Sequence, residues 1–553
     1  MLLRLGGHHK RQIECRTGLG HGVSPRWPAS LWQDGEAGIS SHTVLASVTH
    51  LTHAPCALSL RRTKTPRRSR IPGMTDTIRA LAGDFPAQTP ASWTALAEKA
   101  LRGADFDATL GRTTIDGIKR GPAFFARPEG SHAVDAAPRD IHLPWGIRQT
   151  LVEASPEAAN TAALDDLMGG VSELELRLDP TGQFGLKANE IELLDAALKG
   201  VDLTLAPIHL DSLGGQGHHA HLLLTLFARR RIDGELVSGG LGLHPVERAA
   251  RQGIALDEEC FPKAAALTEL AQAAFPNLKV FRCDAAHMFE AGASESQELA
   301  ILAASVATYM RLMMETGLDA NAAAKAIEAR LAADADIHLT IAKLRAARRI
   351  FARIAESFGA TGEARRLTLH VTTAARMLSA RDAWTNLIRN ACAGFAAAAG
   401  GADTITVRPM TEAIGRPTGF ARRVARNLHI LLAEESHLGK VTDPAAGSYL
   451  HETLADSLAQ SAWSLFQEIE RRGGLVDAFA SGWLQGEIAK SREASLARIA
   501  GGQAQILGVT QYKDPDPRAV ETDGIWPDPD APEDALLATR FAARFETEME
   551  AAQ

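Results

Sequence analysis

This 553-residue chain lacks a disulfide or zinc framework: its five cysteines (Cys15, Cys56, Cys260, Cys283, Cys392) are scattered and no C-x-x-C occurs. Such usage suits a reducing compartment. It also lacks a membrane-spanning run. The longest uncharged stretch, 37–60, holds His42, His50, His53 and Pro55, all costly in lipid. The apolar stretch 390–402 is too short to span and reads as the buried end of an Ala-rich helix. There is no G-x-x-x-x-G-K-S/T, no H-E-x-x-H and no G-x-S-x-G, and the glycines from Gly394 to Gly401 are spaced wrongly for G-x-G-x-x-G. A phosphate loop, a zincin helix and a nucleophile elbow are therefore excluded. No internal repeat is present.

What is there divides by charge. Residues 1–73 carry eleven Lys+Arg and three Asp+Glu, a net of +8, whereas the remainder carries −15. An acidic body argues against nucleic acid as a partner, since a nucleic-acid binder needs a basic face. At 45 % hydrophobic and 23 % charged, the body has the composition of an ordinary globular protein. The leader is Arg-rich and acid-poor, but holds six His, two Trp and several Pro without a clear amphipathic helix. It is expected to be sequence upstream of a start at Met74; a mitochondrial targeting segment is the alternative.

Past 90, a helix is expected over 91–103, with a Gly stop, then an extended stretch over 107–128 with turns at Gly117 and Gly121-Pro122. Strands are expected at 171–178, 201–209, 235–243, 278–283, 368–373 and 404–407. Helices are expected near 187–199, 217–229, 264–275, 291–316, 320–333, 337–356, 381–399 and 417–435. Strand–helix alternation over this length points to an α/β fold, a (β/α)8 barrel rather than an open doubly wound sheet. Helical insertions between Asp284 and Arg366 blur the strand count. After Glu452 the chain is expected to be mostly helical (454–472, 475–488, 494–499, 533–551), with 513–532 as a linker.

Taken residue by residue, the chemistry is sparse. His8-His9 lies in the leader. His218-His219 follows Gly-Gln-Gly and reads as a loop pair rather than a metal site. Glu434-Glu435 could supply general acid and base groups, but adjacent helical carboxylates point about 100° apart and read as a solvated or ion-paired helix end.

A more specific signal lies in 421–452, ARRVARNLHILLAEESHLGKVTDPAAGSYLHE. It resembles the methylmalonyl-CoA mutase family pattern R-x-A-R-N-T-Q-x-x-x-x-E-E-S…V-x-D-P-x-x-G-S-Y-x-x-E at Arg426, Asn427, Glu434, Glu435, Ser436, Val441, Asp443, Pro444, Gly447, Ser448, Tyr449 and Glu452. Pro144-Trp145-Gly146-Ile147-Arg148-Gln149 resembles P-W-T-I-R-Q. The run His287 to Ala293 resembles H-M-Q-E-A-G-A, and 341–349 resembles the helix that follows. The likeness covers roughly 140–512. It implies a (β/α)8 barrel that threads an acyl-CoA along its axis, with adenosylcobalamin above it on a separate C-terminal domain.

Several positions depart from that pattern. The cobalamin motif D-x-H-x-x-G is not matched at Asp140-Ile141-His142 or at Asp336-Ile337-His338, both of which lack the Gly. Thr150 stands where the family has its substrate tyrosine. His370-Val371-Thr372-Thr373 replaces H-C-Q-T and loses the substrate-contacting Gln. Thr406-Val407-Arg408-Pro409 replaces H-T-N-S, and Leu428-His429 replaces T-Q. His287 is retained; in active members the matching His hydrogen-bonds the substrate carbonyl, which makes it the one candidate catalytic residue. Scaffold motifs are kept and contact positions are changed.

The resemblance therefore points to the small (beta) subunit of the family. Residues 74–139 would form an N-terminal arm, 140–452 the barrel and 453–553 a helical extension, with no cobalamin-binding domain. The expected partner is the large catalytic subunit, which would carry the adenosylcobalamin, with none bound by this chain alone. The expected location is cytoplasmic, or the mitochondrial matrix in a eukaryote. The alternatives are an active barrel subunit of a related acyl-CoA mutase (isobutyryl-CoA type) with cobalamin on a separate chain, and a stand-alone binding or chaperone-like barrel.

Overall fold

A computed structural model describes residues 89–128, 139–257, 259–528, 531–532 and 535–551. The basic leader 1–73 and part of the expected arm lie outside the described residues. The barrel and the helices around it lie in the unit Pro90–Gln553.

Eight parallel strands close into a barrel: β1 (Gly146–Leu151), β2 (Glu173–Leu178), β3 (Ile208–Ser212), β4 (Gly239–Leu243), β5 (Leu278–Asp284), β6 (Ile327–Ala333), β7 (Thr368–Thr373) and β8 (Thr404–Thr406). Each pairs with the next, and β8 closes on β1 through Thr404↔Gly146 and Ile405↔Ile147. Helices follow every strand, so the expected (β/α)8 architecture is present.

The strand sequences show how the barrel sorts its side chains. In β2, Leu174, Leu176 and Leu178 are fully buried against the outer helices, and Glu173, Glu175 and Arg177 alternate with them toward the axis. Each such leucine contributes roughly 1.5–3 kcal/mol by leaving water. Strand β4 reads GGLGL and carries a bulge between Gly240 and Leu243. Gly242 has φ +64°, and a Cβ there would sit 2.0 Å from the Leu210 carbonyl oxygen, so no larger residue fits that bend.

Two barrel strands were not expected from the sequence. The helix expected over 320–333 ends at Lys325, and its second half is β6. The segment Gly146–Leu151 is β1. Other boundaries move. The strand expected at 201–209 begins at Ile208, and that at 235–243 begins at Gly239. The helix expected over 417–435 runs Gly419–Ile430 and loosens into one π turn, Leu431–Glu435. Helices expected at 475–488 and 494–499 are instead Leu475–Ala480 and one continuous Trp483–Ala500. The final helix begins at Phe541. The stretch over 107–128 contains a short helix, Phe106–Leu110, and a two-stranded ladder in which Arg112–Thr113 pairs with Lys119–Arg120 around Gly117.

Beyond the barrel, Tyr449–Arg471 packs against Glu295–Glu315 and Ile337–Ser357. Cys260, Cys283 and Cys392 are free thiols. No helix among the described residues is long and apolar enough to cross a membrane.

Candidate functional site

The barrel axis, where this architecture usually stacks bulky aliphatic side chains, is filled here by charge. Arg148 from β1 holds Glu328 of β6 with both terminal nitrogens, at 2.7 and 3.2 Å, and donates from Nε to Glu173 of β2 at 3.0 Å. Above it, Arg282 of β5 lies 3.0 Å from Glu175 and 3.5 Å from both Asp211 and Glu328. Arg330 of β6 pairs with Asp284 through two contacts of 2.8 and 2.9 Å and reaches Glu175 at 3.3 Å. Arg177 donates to Asp211 at 3.2 Å. Four guanidinium groups and five carboxylates thus occupy the axis, almost all removed from solvent.

Burial alone would neutralise these carboxylates. It raises the Glu173 carboxyl, but Arg148 and His209 outweigh it and hold the group at about 2. Burial likewise opposes ionisation of Asp284, and Arg330 overcomes it to leave that group at about 2. Glu328 and Asp211 stand well below the usual carboxylate range because their arginine neighbours also prevail over burial. These four carboxylates are held ionised by the arginines around them. His370 completes it: Arg148 donates to its Nδ1 at 3.0 Å, so Nε2 carries the proton and faces Thr406 Oγ1 at 2.9 Å.

Little room is left. The cavity at the C-terminal mouth is about 30 Å³ and is lined by Thr150, Thr372, Thr406 and Arg408 among others, space for one or two waters. Thr150 Oγ1 donates to Glu175 Oε2 at 2.9 Å. The departures at Thr150, Thr372 and Thr406–Pro409 therefore converge on one mouth, but they surround side chains rather than a channel, whereas His429 lies elsewhere, against Trp145.

His287 sits on the short helix Ala286–Glu290 that follows β5. Its Nε2 lies 2.6 Å from the Leu536 carbonyl oxygen, so that nitrogen is the donor. Burial, then Arg251, push the imidazole down to about 3 and keep it neutral. Leu536 belongs to a C-terminal strap tied at several points: Leu536 N donates to Ala250 O at 3.2 Å and Thr539 N to Glu290 O at 2.8 Å. Further on, the Glu546 carboxylate accepts from Ser379 Oγ and Ala380 N, both at 2.8 Å.

Asp211, His244 and Asp284 bring one ligand atom each within 4.8 Å of one another, a spacing that could hold a metal ion. Their surroundings oppose one. Arg330 occupies both Asp284 oxygens, Arg177 takes Asp211, and His244 Nδ1 is 2.8 Å from Gly242 O with Gln216 against the ring. A dication would enter a region whose negative charge is already matched by arginines. No spacing motif marks this trio, because its members come from three strand ends. The pair His218-His219 is not a joint site: His218 Nε2 turns to Asn189 O at 2.9 Å, and His219 Nδ1 to Ser212 Oγ at 3.1 Å.

Residues 141–530 match the family model described as methylmalonyl-CoA mutase. The match spans the whole barrel. The chain belongs to the methylmalonyl-CoA mutase family. It is 37 % identical over 486 residues to the methylmalonyl-CoA mutase small subunit of Streptomyces virginiae, covering 84 % of this chain and 77 % of that one. It is 33 % identical over 478 residues to the small subunit of Propionibacterium freudenreichii subsp. shermanii, covering 81 % and 72 %. It is also 37 % identical over 384 residues to a probable small subunit of Mycobacterium tuberculosis (strain H37Rv), covering 68 % of this chain and 60 % of that relative.

Within the mutase barrel, the motif that carried the resemblance is framework. Buried Arg345 joins Asp443 at 2.5 Å to Glu452 at 2.6 Å, which ties the helix Ile337–Ser357 to the D-P-x-x-G-S-Y-x-x-E turn. Ser448 caps Tyr449–Arg471. Glu434 and Glu435 are exposed at the π turn and face no axis residue. Among the described residues, neither D-x-H segment nor His287 is arranged as a ligand for adenosylcobalamin. The Asp140 carboxylate is spent on His142 N at 2.7 Å, His338 is hydrogen-bonded to His451 at 3.1 Å, and His287 is held by the strap.

Proposed function

We propose that this chain is the small subunit of an adenosylcobalamin-dependent methylmalonyl-CoA mutase, and that its barrel is structural rather than catalytic. The holoenzyme interconverts (R)-methylmalonyl-CoA and succinyl-CoA. The cofactor and the chemistry reside on a larger subunit, and this chain stabilises that subunit through an obligate heterodimer interface. Residues 74–139 serve as the arm, 140–452 as the barrel and 453–553 as the extension. One observation carries the reading: the axis that would thread an acyl-CoA is occupied by the Arg148–Glu328 and Arg330–Asp284 ladders, which leave about 30 Å³ at the mouth. His287, engaged by a backbone carbonyl of its own chain, adds to it.

The test is reconstitution. The purified chain alone and the chain with its larger partner are assayed for mutase turnover and, by absorbance, for adenosylcobalamin binding. Turnover and cofactor binding are expected only when the larger subunit is present. Turnover by this chain supplied with a separate small cobalamin protein would overturn the reading.

A further inference from the structure

The segment from Leu507 to Trp526 runs as a belt over the N-terminal ends of the helices Thr385–Ala399 and Gly419–Ile430. It is fastened by Arg389 to Leu507 O at 2.7 Å and by Arg416 N to Gly524 O at 2.8 Å. Belt and helices together present large apolar side chains to solvent: Tyr512 is 82 % exposed, Ile525 80 %, Ile388 66 %, Leu507 52 % and Phe420 46 %. Trp384, one helical turn before Ile388 and with its ring 6.4 Å from Phe420, links those two side chains, and the belt that carries Leu507, Tyr512 and Ile525 is hydrogen-bonded to the same helix ends through Arg381, Arg389 and Arg416.

The five side chains offer on the order of 600 Å² of apolar area, more than a few stray exposed residues and close to the roughly 800 Å² per partner of a standard interface. The composition is that of binding hot spots, with aromatic rings flanked by arginines. Arg518 lies over Trp384 at 5.0 Å, Arg416 over Trp526 at 5.8 Å and Arg423 over Phe420 at 5.6 Å. None of the three arginines has a carboxylate partner among the described residues.

We infer that this belt surface is the docking face for the larger mutase subunit, which meets it with an apolar patch rimmed by carboxylates. The inference rests on the heterodimer reading above and names the surface that serves it. A second copy of this chain is a poorer occupant, because a two-fold contact would bring a second set of three arginines, and no carboxylates from this patch, into the same interface.

The experiment co-expresses the chain with the larger subunit from the same source and measures complex formation by light scattering and titration. Three forms are compared: wild type, a triple variant Ile388→Asp, Tyr512→Asp, Ile525→Asp, and a control Leu205→Asp, Leu236→Asp. The control alters exposed leucines in the turns before β3 and β4, at the opposite end of the barrel. All five sites are exposed, and unchanged melting of each chain alone verifies folding. The triple variant is expected to weaken the complex at least about 100-fold and the control to leave it intact. A triple variant that binds like wild type overturns the docking face but leaves the heterodimer reading standing. A wild-type chain that forms no complex overturns both. A wild-type chain that pairs with itself through this face, shown by loss of that pairing in the triple variant, overturns the choice of occupant.

Discussion

His287 and Leu536 are 249 residues apart in sequence, yet the imidazole Nε2 of one lies 2.6 Å from the carbonyl oxygen of the other. A ring nitrogen that donates to its own chain is not free to donate to a substrate. The strap that supplies the carbonyl crosses the end of the barrel at which this architecture places its ligands.

His287→Ala is therefore expected to leave turnover of the assembled heterodimer within about twofold of wild type. It should raise hydrogen exchange in the strap around 535–541, because one of its anchors is gone. Loss of turnover while the heterodimer stays assembled would sink the structural-barrel reading.

Arg148 tests the axis. It is fully buried between Glu328 and Glu173. Removing one member of a buried ion pair leaves the other charge uncompensated, and such changes cost about 3–5 kcal/mol. Arg148→Met should lower the unfolding free energy from urea titration by that amount, whereas exposed Arg229→Met, paired with exposed Glu192, should change it by less than about 1 kcal/mol. Equal effects at the two sites would show that the ladder does not hold the barrel together.

The same ladder explains what could be read from the sequence and what could not. The helices announced themselves through periodicity, and the turn at Asp443-Pro444 and Gly447 through its residue types. Strand β6, IEARLAA, did not. Ala, Leu, Glu and Arg are strong helix formers, and Glu328 and Arg330 suggest solvent. In the fold both point to the axis while Ile327, Ala329 and Leu331 face the helices. Strand β1 hid in the same way behind Arg148. A charged interior inverts the pattern that normally marks a barrel strand, and its partners, such as Arg148 and Glu328, lie 180 residues apart. The departures at Thr150 and Thr372 were visible, but the filling of the axis behind them was not.

Glu247 gives a pH signature. Its carboxyl is fully buried, held by Ser305 Oγ at 2.5 Å and by the Tyr309 hydroxyl, and burial raises it to about 7 against 4.5 when unfolded. A raised carboxyl stabilises the fold at low pH, and that contribution disappears as pH climbs through 7. Relative to Glu247→Gln, wild type should lose on the order of 2–3 kcal/mol between pH 5 and pH 8. Parallel stability curves for the two proteins would contradict this.

His429 should show the opposite slope. Its buried ring accepts from Trp145 Nε1 at 3.3 Å, and burial pushes it from 6.5 down to about 3. A depressed histidine favours the fold above its unfolded value, and that advantage shrinks as acid protonates the unfolded chain first. His429→Gln keeps an acceptor for Trp145. It should flatten the loss of stability between pH 7 and pH 5 by about 2 kcal/mol, read from thermal melts at each pH. A variant as acid-sensitive as wild type would place the labile group elsewhere.

To thread an acyl-CoA along this axis, the chain would have to part Arg148 from Glu328 and Arg330 from Asp284, exposing several charges whose partners are each other. Every such separation costs several kcal/mol, and a micromolar ligand brings only about 8 kcal/mol in all. Calorimetric titration of the isolated chain with methylmalonyl-CoA, or with propionyl-CoA, should therefore give no saturable heat up to millimolar ligand. Removing one cation does not open the path, because the remaining carboxylates then repel the CoA phosphates, so Arg148→Met and Arg282→Met should remain non-binders. The heterodimer should bind one equivalent, on the larger subunit. A second equivalent, lost when Arg330 or Thr150 is changed in this chain, would mean that the ladder yields to substrate and that the barrel takes part in the reaction.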